Sequence, residues 1–308
     1  MIILSEHPLL NEEVEANGGK IIYIKGDKIL DYNNNKDVVA IAGSRALSRK
    51  VLKMNFPSLK LFQLTSAGFD NVPVEEYKKK GVYVCNAGNV YSTPIAETVL
   101  YGMLQFEKRY WNNPKHKFLR PFRKYKYIGE LSGKKLLILG CGNIGTAVAV
   151  RANAFGMDVF GYDPYCAEKM QYNKIYRNED DLKENIGIFD YIVCTMPDNE
   201  QTRGFIDAGI LSKCKSDAVI VNVGRKSVFN EQDFYEVLKK RTIQGAVLDM
   251  FEKLPNPITN KFRRLNNVIV MPGVSAISKE VRYRLSEFIS LNVLKVLNGT
   301  IPVCVISE

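Results

Sequence analysis

The sequence predicts an α/β protein built from two doubly wound, parallel-sheet, Rossmann-like domains joined by two crossing helices. Three observations carry this. Residues 134–163 read as strand, glycine-rich turn, helix, strand and acid. Short apolar runs alternate with helical stretches on both sides of that unit. Two long helical stretches, 94–110 and 278–297, separate the two sets of runs.

The central unit opens with Lys134-Lys135-Leu136-Leu137-Ile138-Leu139, an apolar run bounded by Gly133 and Gly140. Gly140-Cys141-Gly142-Asn143-Ile144-Gly145 follows, in the G-x-G-x-x-G pattern. Ile144, Val148, Ala152 and Phe155 then recur at helical spacing, Gly156 stops the helix, and a second strand ends at Asp163. Each part has a physical task. The first glycine permits the tight turn, the second lets a pyrophosphate approach the backbone, and the third lets the helix pack closely on the strand. The N-terminus of the helix offers unpaired N–H groups and a positive dipole end to phosphates. Asp163 lies 18 residues beyond Gly145, where a carboxylate accepts from the ribose hydroxyls of adenosine. A carboxylate there repels a 2′-phosphate, and no arginine follows it closely, so the expected cofactor is NAD rather than NADP.

The remaining elements fall into place around this unit. Before it, strands are expected at 1–4, 20–24, 37–42, 60–64 and 82–85, with a loop of exposed amides at 65–70 as a candidate anion site. After it, strands are expected near 189–194, 217–223, 243–248 and 267–270. The stretch 94–110, opened by Pro94 and apolar nearly all round, reads as a buried first crossing. In 278–297, Val281, Leu285, Phe288 and Asn292 share a face and Asn298-Gly299 ends the helix, which returns the chain to the first domain. The expected domains are thus 1–98 with 278–308, a flavodoxin-like substrate domain, and 99–277, a dinucleotide-binding domain.

Composition narrows the function classes. With 308 residues, 46% of them hydrophobic, the chain can fill two cores. No apolar run approaches the roughly 20 residues of a membrane span, and the first residues have no basic n-region, so neither a membrane anchor nor a signal peptide is expected. The six cysteines show no C-x-x-C pairing, so reduced, mostly buried thiols, no metal site and a cytoplasmic location are expected. The net charge is +10, and residues 108–126 contribute eight Lys and Arg with interleaved aromatics and no acid. A solvated arm at a subunit interface is the first reading of that stretch, with an anionic ligand or nucleic acid as alternatives; nucleic acid is not expected to be the partner.

Further motifs converge on one family. They are Ser66-Ala67-Gly68-Phe69-Asp70-Asn71, Ile95-Ala96-Glu97, the Gly140–Asp163 unit, Thr195-Met196-Pro197, Gln201-Thr202, Asn222-Val223-Gly224-Arg225 and Leu248-Asp249-Met250-Phe251. Through them the chain resembles the D-isomer-specific 2-hydroxyacid dehydrogenases over nearly its whole length. The resemblance implies hydride transfer between NAD(H) and a small carboxylate-bearing 2-hydroxy or 2-oxo acid, in a homodimer. It implies that the amides of Ala67 and Gly68 meet the substrate carboxylate, and that Arg225 binds the carboxylate and carbonyl. It implies that Asn143, Ile144, Asp163, Pro197, Thr202, Val223 and Asp249 join Gly140, Gly142 and Gly145 in lining the dinucleotide.

The acid–base pair departs from the pattern. The family's glutamate falls on Leu254, before Pro255, and its histidine falls on Gly273, after Pro272. The glycine usual after the arginine is Lys226. The two histidines, His7 and His116, read as surface residues. Three readings stay open. One is an oxidoreductase with another proton donor (Lys226, Tyr91 or Ser275) or with none. The second is an NAD-binding regulatory or partner-binding protein of the same fold. The third is a protein that uses bound NAD in a different reaction.

Overall fold

The structure, a computed structural model, describes residues 1–108, 128–249, 261–271 and 273–306. It divides into two compact units, Met1–Tyr91 with Ser278–Glu308, and Ser92–Ile277. The first division falls after Tyr91 rather than within the first long helix. Both long helices therefore begin where the chain changes unit instead of straddling the change.

The first unit runs β1 (Ile2–Ser5), α1 (Asn11–Ala16), β2 (Lys20–Tyr23), β3 (Val38–Gly43), α2 (Arg45–Val51), β4 (Leu61–Leu64), α3 (Val74–Lys79) and β5 (Tyr83–Cys85). Its five strands lie in the order β2-β1-β3-β4-β5, all parallel. This is the flavodoxin-like order, with its reversal point between β1 and β3. All six residues of β3, Val-Val-Ala-Ile-Ala-Gly, are buried, as a strand covered by helices on both faces requires. Each large aliphatic side chain there contributes roughly 1.5–3 kcal/mol of burial.

The second unit begins with α4 (Ser92–Lys108), followed by β6 (Lys135–Leu139), α5 (Asn143–Ala154), β7 (Asp158–Tyr162), β8 (Lys174–Tyr176) and α6 (Glu179–Asn185). It continues with β9 (Tyr191–Cys194), α7 (Ala208–Lys213), β10 (Val219–Asn222), α8 (Glu231–Lys240), β11 (Gly245–Leu248) and β12 (Val268–Val270). The seven strands are parallel in the order β12-β11-β10-β9-β6-β7-β8, the Rossmann order extended by one strand. α4 seats small against large on this sheet: a Cβ at Gly102 would lie 2.9 Å from Val247, and one at Gly245 would lie 2.6 Å from Phe106. Glu107, near its end, accepts from Tyr191 Oη at 2.5 Å and pairs with Lys134 at 3.0 Å.

The last helix, α9 (Lys279–Leu297), belongs to the first unit. The Ser278 side chain caps it by accepting from the Val281 N–H, and Gly299, at φ +73°, turns the chain away. Val281, Leu285 and Asn292 are buried on its inner face. Asn292 is satisfied there. Its amide donates to Gln63 Oε1 (2.7 Å) and to the Val303 carbonyl (3.0 Å), and its oxygen accepts from Val303 N (2.8 Å).

Three expectations need correction. β8 has no counterpart in the sequence reading, because a three-residue edge strand is too short to show a period. Phe155 does not lie on the buried face of α5. It is the C-cap residue and is 43% exposed, because the chain is already turning towards Gly156 at φ +73°. His7 is half-buried rather than a surface residue: its Nε2 lies 3.2 Å from Ser286 Oγ and 3.3 Å from the Arg282 carbonyl.

Candidate active site

The candidate site residues of the second unit lie just beyond the carboxyl ends of its strands, where parallel sheets bind ligands. The glycine-rich turn follows β6. Gly140 has φ +98°, and a Cβ on it would lie 3.0 Å from Thr195 Oγ1. Its N–H donates to the Tyr162 carbonyl (2.9 Å), and its own carbonyl accepts from Thr195 Oγ1 (2.7 Å). A Cβ on Gly145 would lie 2.1 Å from the Gly140 carbonyl, so that position excludes any side chain. Gly142 is the opposite case, exposed, with nothing within 4 Å of where a Cβ would be. It caps α5 without a side chain, leaving the first N–H groups of the helix to an anion. Two glycines thus fix the turn and one leaves room for a pyrophosphate, so these residues fit a dinucleotide. Asn143 and Ile144 open the helix beside that space.

Asp163 follows β7, and its carboxylate holds the turn. Oδ2 accepts from Cys141 N (3.0 Å), and Oδ1 accepts from Tyr165 N (3.0 Å) and Cys166 N (3.1 Å). Of about four acceptor positions on a carboxylate, three serve the backbone. Lys169 comes from further along the chain and donates to the Cys141 carbonyl (2.6 Å) and Thr146 Oγ1 (3.1 Å). The sequence reading missed this cation because a lysine six residues past the acid has no fixed place in the motif. Cys141 and Cys194 are buried, and burial pushes each thiol up to about 12.

Pro197 follows β9, and Thr202 is 8% exposed and closes that loop. The Thr202 hydroxyl donates to the Pro197 carbonyl (2.7 Å), and its N–H donates to Asn199 Oδ1 (3.0 Å). The turn after β10 is set by Asn222, whose oxygen accepts from Gly224 N (3.1 Å) and whose amide donates to the Arg225 carbonyl (3.2 Å). Gly224 fits only because a Cβ would lie 3.0 Å from the Met196 carbonyl. Val223 is buried, Arg225 is half-buried with Nη1 3.1 Å from the Gly224 carbonyl, and Lys226 is exposed. Nearby, the Arg203 guanidinium bonds to Asp198 and holds its carboxyl below the usual carboxylate range, with Arg225 adding to the effect.

Asp249 follows β11, is 5% exposed, and accepts three hydrogen bonds. Oδ1 accepts from Val274 N (2.9 Å) and Ser275 N (3.1 Å), and Oδ2 accepts from Ser275 Oγ (2.5 Å). The Gly273 N–H donates to the Asp249 carbonyl (3.0 Å). Asp249 therefore pins the loop in which Gly273 stands. Gly273 has φ +68°, with nothing within 4 Å of where a Cβ would be.

In the first unit, Ala67 and Gly68 follow β4 in a half-exposed loop. Tyr91 donates its hydroxyl proton to the Thr65 carbonyl. The hydroxyls of Tyr91 and Ser275, two of the candidate proton donors, each donate to an acceptor within their own unit. The Lys226 side chain has no hydrogen-bond or ion-pair partner among the described residues. The basic stretch beyond Lys108, with His116, and Glu252, Leu254, Pro255 and Pro272 lie outside the described residues. Among the described residues no group of His, Cys, Asp and Glu could hold a metal ion, and no helix is long and apolar enough to cross a membrane. The cysteines are free.

Residues 102–275 match the family model described as D-isomer specific 2-hydroxyacid dehydrogenase, NAD binding domain. The chain belongs to that family. As a family member it carries the NAD-binding domain in its second unit, and it is similar to several known dehydrogenases and reductases. It is 31% identical over 274 residues to a D-3-phosphoglycerate dehydrogenase of Methanocaldococcus jannaschii, covering 89% of this chain and 52% of that protein. It is 28% identical over 260 residues to a glyoxylate reductase of Thermofilum pendens, covering 82% of this chain and 76% of that protein. The chain thus spans about half the length of the first relative and three quarters of the second. Among solved structures, an acyclic imino acid reductase in complex with NADPH and D-Arg superposes with a TM-score of 0.83 at 23% identity, over the whole of both chains. D-lactate dehydrogenase with NAD⁺ from Lactobacillus jensenii gives 0.75 at 21%, again over the whole of both chains. At such identities the likeness concerns the fold.

Proposed function

We propose that this family member transfers hydride between NAD(H) and a small 2-hydroxy or 2-oxo acid, slowly, for want of the family's acid–base pair. The observation that supports this is the retention of Arg225 at the end of β10, held by Asn222 and Gly224, next to an intact dinucleotide turn.

In this reading the bound nicotinamide supplies or takes up the hydride. The protein's residues bind, orient and stabilise. The Gly142 space and the N-terminus of α5 take the pyrophosphate, and Asp163 uses its remaining acceptor capacity on the ribose. Arg225 offers planar paired donors to the substrate carboxylate and carbonyl, and stabilises charge that builds on the carbonyl oxygen. By the family resemblance, the amides of Ala67 and Gly68 meet the substrate carboxylate. With Leu254 and Gly273 where the family has Glu and His, protonation of that oxygen falls to Lys226 or to water. Loss of general acid catalysis costs roughly 10²–10⁴-fold in rate. A cytoplasmic homodimer belongs to the same proposal, supported by the family resemblance and the free thiols.

Arg225→Met tests the site directly. With NADH bound, oxalate binding to this variant is expected to weaken by about 1.5–3 kcal/mol, the value of a lost charged hydrogen bond, with the melting temperature kept. Unchanged oxalate affinity would overturn the carboxylate role. Light scattering reads the dimer. The regulatory reading is favoured if wild type binds NADH but turns over none of glyoxylate, pyruvate and hydroxypyruvate.

A further inference from the structure

The loop after β4 carries more order than its exposure suggests. Four successive carbonyls, those of residues 65 to 68, each accept a hydrogen bond from within the first unit. Thr65 O accepts from Tyr91 Oη, and Ser66 O from Ala87 N (2.9 Å). Ala67 O accepts from Asn86 Nδ2 (3.0 Å), and Gly68 O from Ser66 Oγ (2.7 Å). The described peptide bonds are all trans. In a trans peptide the carbonyl of one residue and the N–H of the next point in opposite directions. Pinning these carbonyls therefore turns the N–H groups of Ser66, Ala67, Gly68 and Phe69 away from the groups that pin them. No described residue accepts from any of the four. Successive N–H groups with their carbonyls tied back form an anion-binding concavity.

We infer that Asn86 is a positioning residue for substrate binding, acting through the Ala67 carbonyl to aim the Gly68 N–H at the substrate carboxylate. Asn86 is suited to this. Its oxygen accepts from Gly88 N (2.9 Å), which fixes the amide so that Nδ2 faces Ala67. Its own carbonyl accepts from the buried Gln63 Nε2 (3.0 Å). Gln63 in turn is held by Asn292 of α9. The Ser66 hydroxyl does for the Phe69 N–H what Asn86 does for Gly68. The inference rests on the reading that a 2-oxo or 2-hydroxy acid is the ligand.

The test uses ¹⁵N-labelled full-length protein with NADH bound and oxalate as the probe. In wild type, oxalate should shift the amide signals of Ala67, Gly68 and Phe69. Asn86→Ala should weaken oxalate binding about fivefold to tenfold, as for one hydrogen bond's worth of orientation. The Gly68 response should fall most, and NADH affinity should stay at the wild-type value. Asn86→Asp keeps an acceptor for Gly88 but gives Ala67 no donor, so it should weaken oxalate binding at least as much. Ser66→Ala provides a second route and should depress the Phe69 response selectively. Asn86→Ala and Ser66→Ala proteins that bind oxalate as wild type does, with the Gly68 and Phe69 responses intact, would overturn the inference while leaving the proposed function standing. Wild type that binds NADH but shows no oxalate response at these amides would overturn the proposed ligand, and the inference with it.

Discussion

The turn at Gly140–Gly145 and the loop from Gly273 to Ser275 lie at the same edge of one sheet, yet sequence change constrains them very differently. In the turn, Gly145 is required by contact: a Cβ on it would meet the Gly140 carbonyl at 2.1 Å. Altering such a residue disturbs the strand and helix beneath it. In the loop, Asp249 ties down the backbone through Val274 and Ser275, while among the described residues nothing lies within 4 Å of where a Cβ of Gly273 would be. Gly145 is held by contact with the fold, whereas a side chain at 273 would enter space that no described residue fills.

The largest effect that could break this contrast is a restored pair. Gly273→His with Leu254→Glu is expected to raise reduction of glyoxylate, pyruvate or hydroxypyruvate by about 10²–10⁴-fold, and each single variant by less, because the two side chains act as a pair. At φ +68° the histidine costs about 1–2 kcal/mol of stability, although histidine is among the residues that accept this region more readily. NADH oxidation by the four proteins across about pH 5–9 reads the outcome. Wild-type rates of about 1–10³ s⁻¹ would sink the claim of a missing acid and make Lys226 the next residue to mutate. No gain in the double variant would favour the regulatory reading.

Next in size come two glycine variants that separate structure from ligand contact. Gly145→Ala should cost about 1–3 kcal/mol or more in stability through overpacking, read as a fall in melting temperature. Gly142→Ala should leave the melting temperature alone, since its backbone is ordinary for an L residue (φ −71°, ψ −158°) and its space is open. NADH affinity should nevertheless fall about tenfold or more, because the pyrophosphate approaches there. Equal NADH affinity in Gly142→Ala would show that the space is not used.

A smaller effect concerns cofactor choice. NADH should bind at least about tenfold tighter than NADPH, and Asp163→Ser should narrow the gap by removing the carboxylate that faces a 2′-phosphate. Lys169, already on the Cys141 carbonyl, is then the cation available to NADPH. Fluorescence titration of both cofactors checks this, and equal affinities in wild type would mean that Asp163 serves the backbone alone.

The smallest effect is in the first unit. Burial lowers the pKa of His7 from 6.5, so its neutral form is favoured in the folded state. That contribution to stability is complete above the unfolded value and is lost as pH falls through the folded one. His7→Gln should therefore flatten the fall in melting temperature between about pH 7 and 5. An unchanged slope would assign the acid sensitivity to other groups.

Much of this was legible from residue order. The strands of both sheets stood out as apolar runs, because parallel strands are buried on both faces and carry an unbroken signal. The glycine-rich turn was legible because its motif is local in sequence. β8 and the exposed position of Phe155 were not: a three-residue edge strand has no period, and a helix end is settled by the turn that follows it. Nor could spacing show that the Ser275 and Tyr91 hydroxyls are already engaged, since their acceptors, Asp249 and Thr65, are 26 residues away along the chain in each case.

Sequence alone determined the fold class and the dinucleotide turn with its following acid. These are properties of residue type and short-range order, which side-chain sterics and backbone periodicity translate directly into structure. Only the tertiary structure decided where the chain changes unit, that Asp163 and Asp249 hold backbone, and that Asn86 reaches the Ala67 carbonyl. Those facts depend on which donor meets which acceptor once distant strands are side by side. A hydrogen bond requires its partners within about 3 Å, a distance that folding sets and sequence spacing does not.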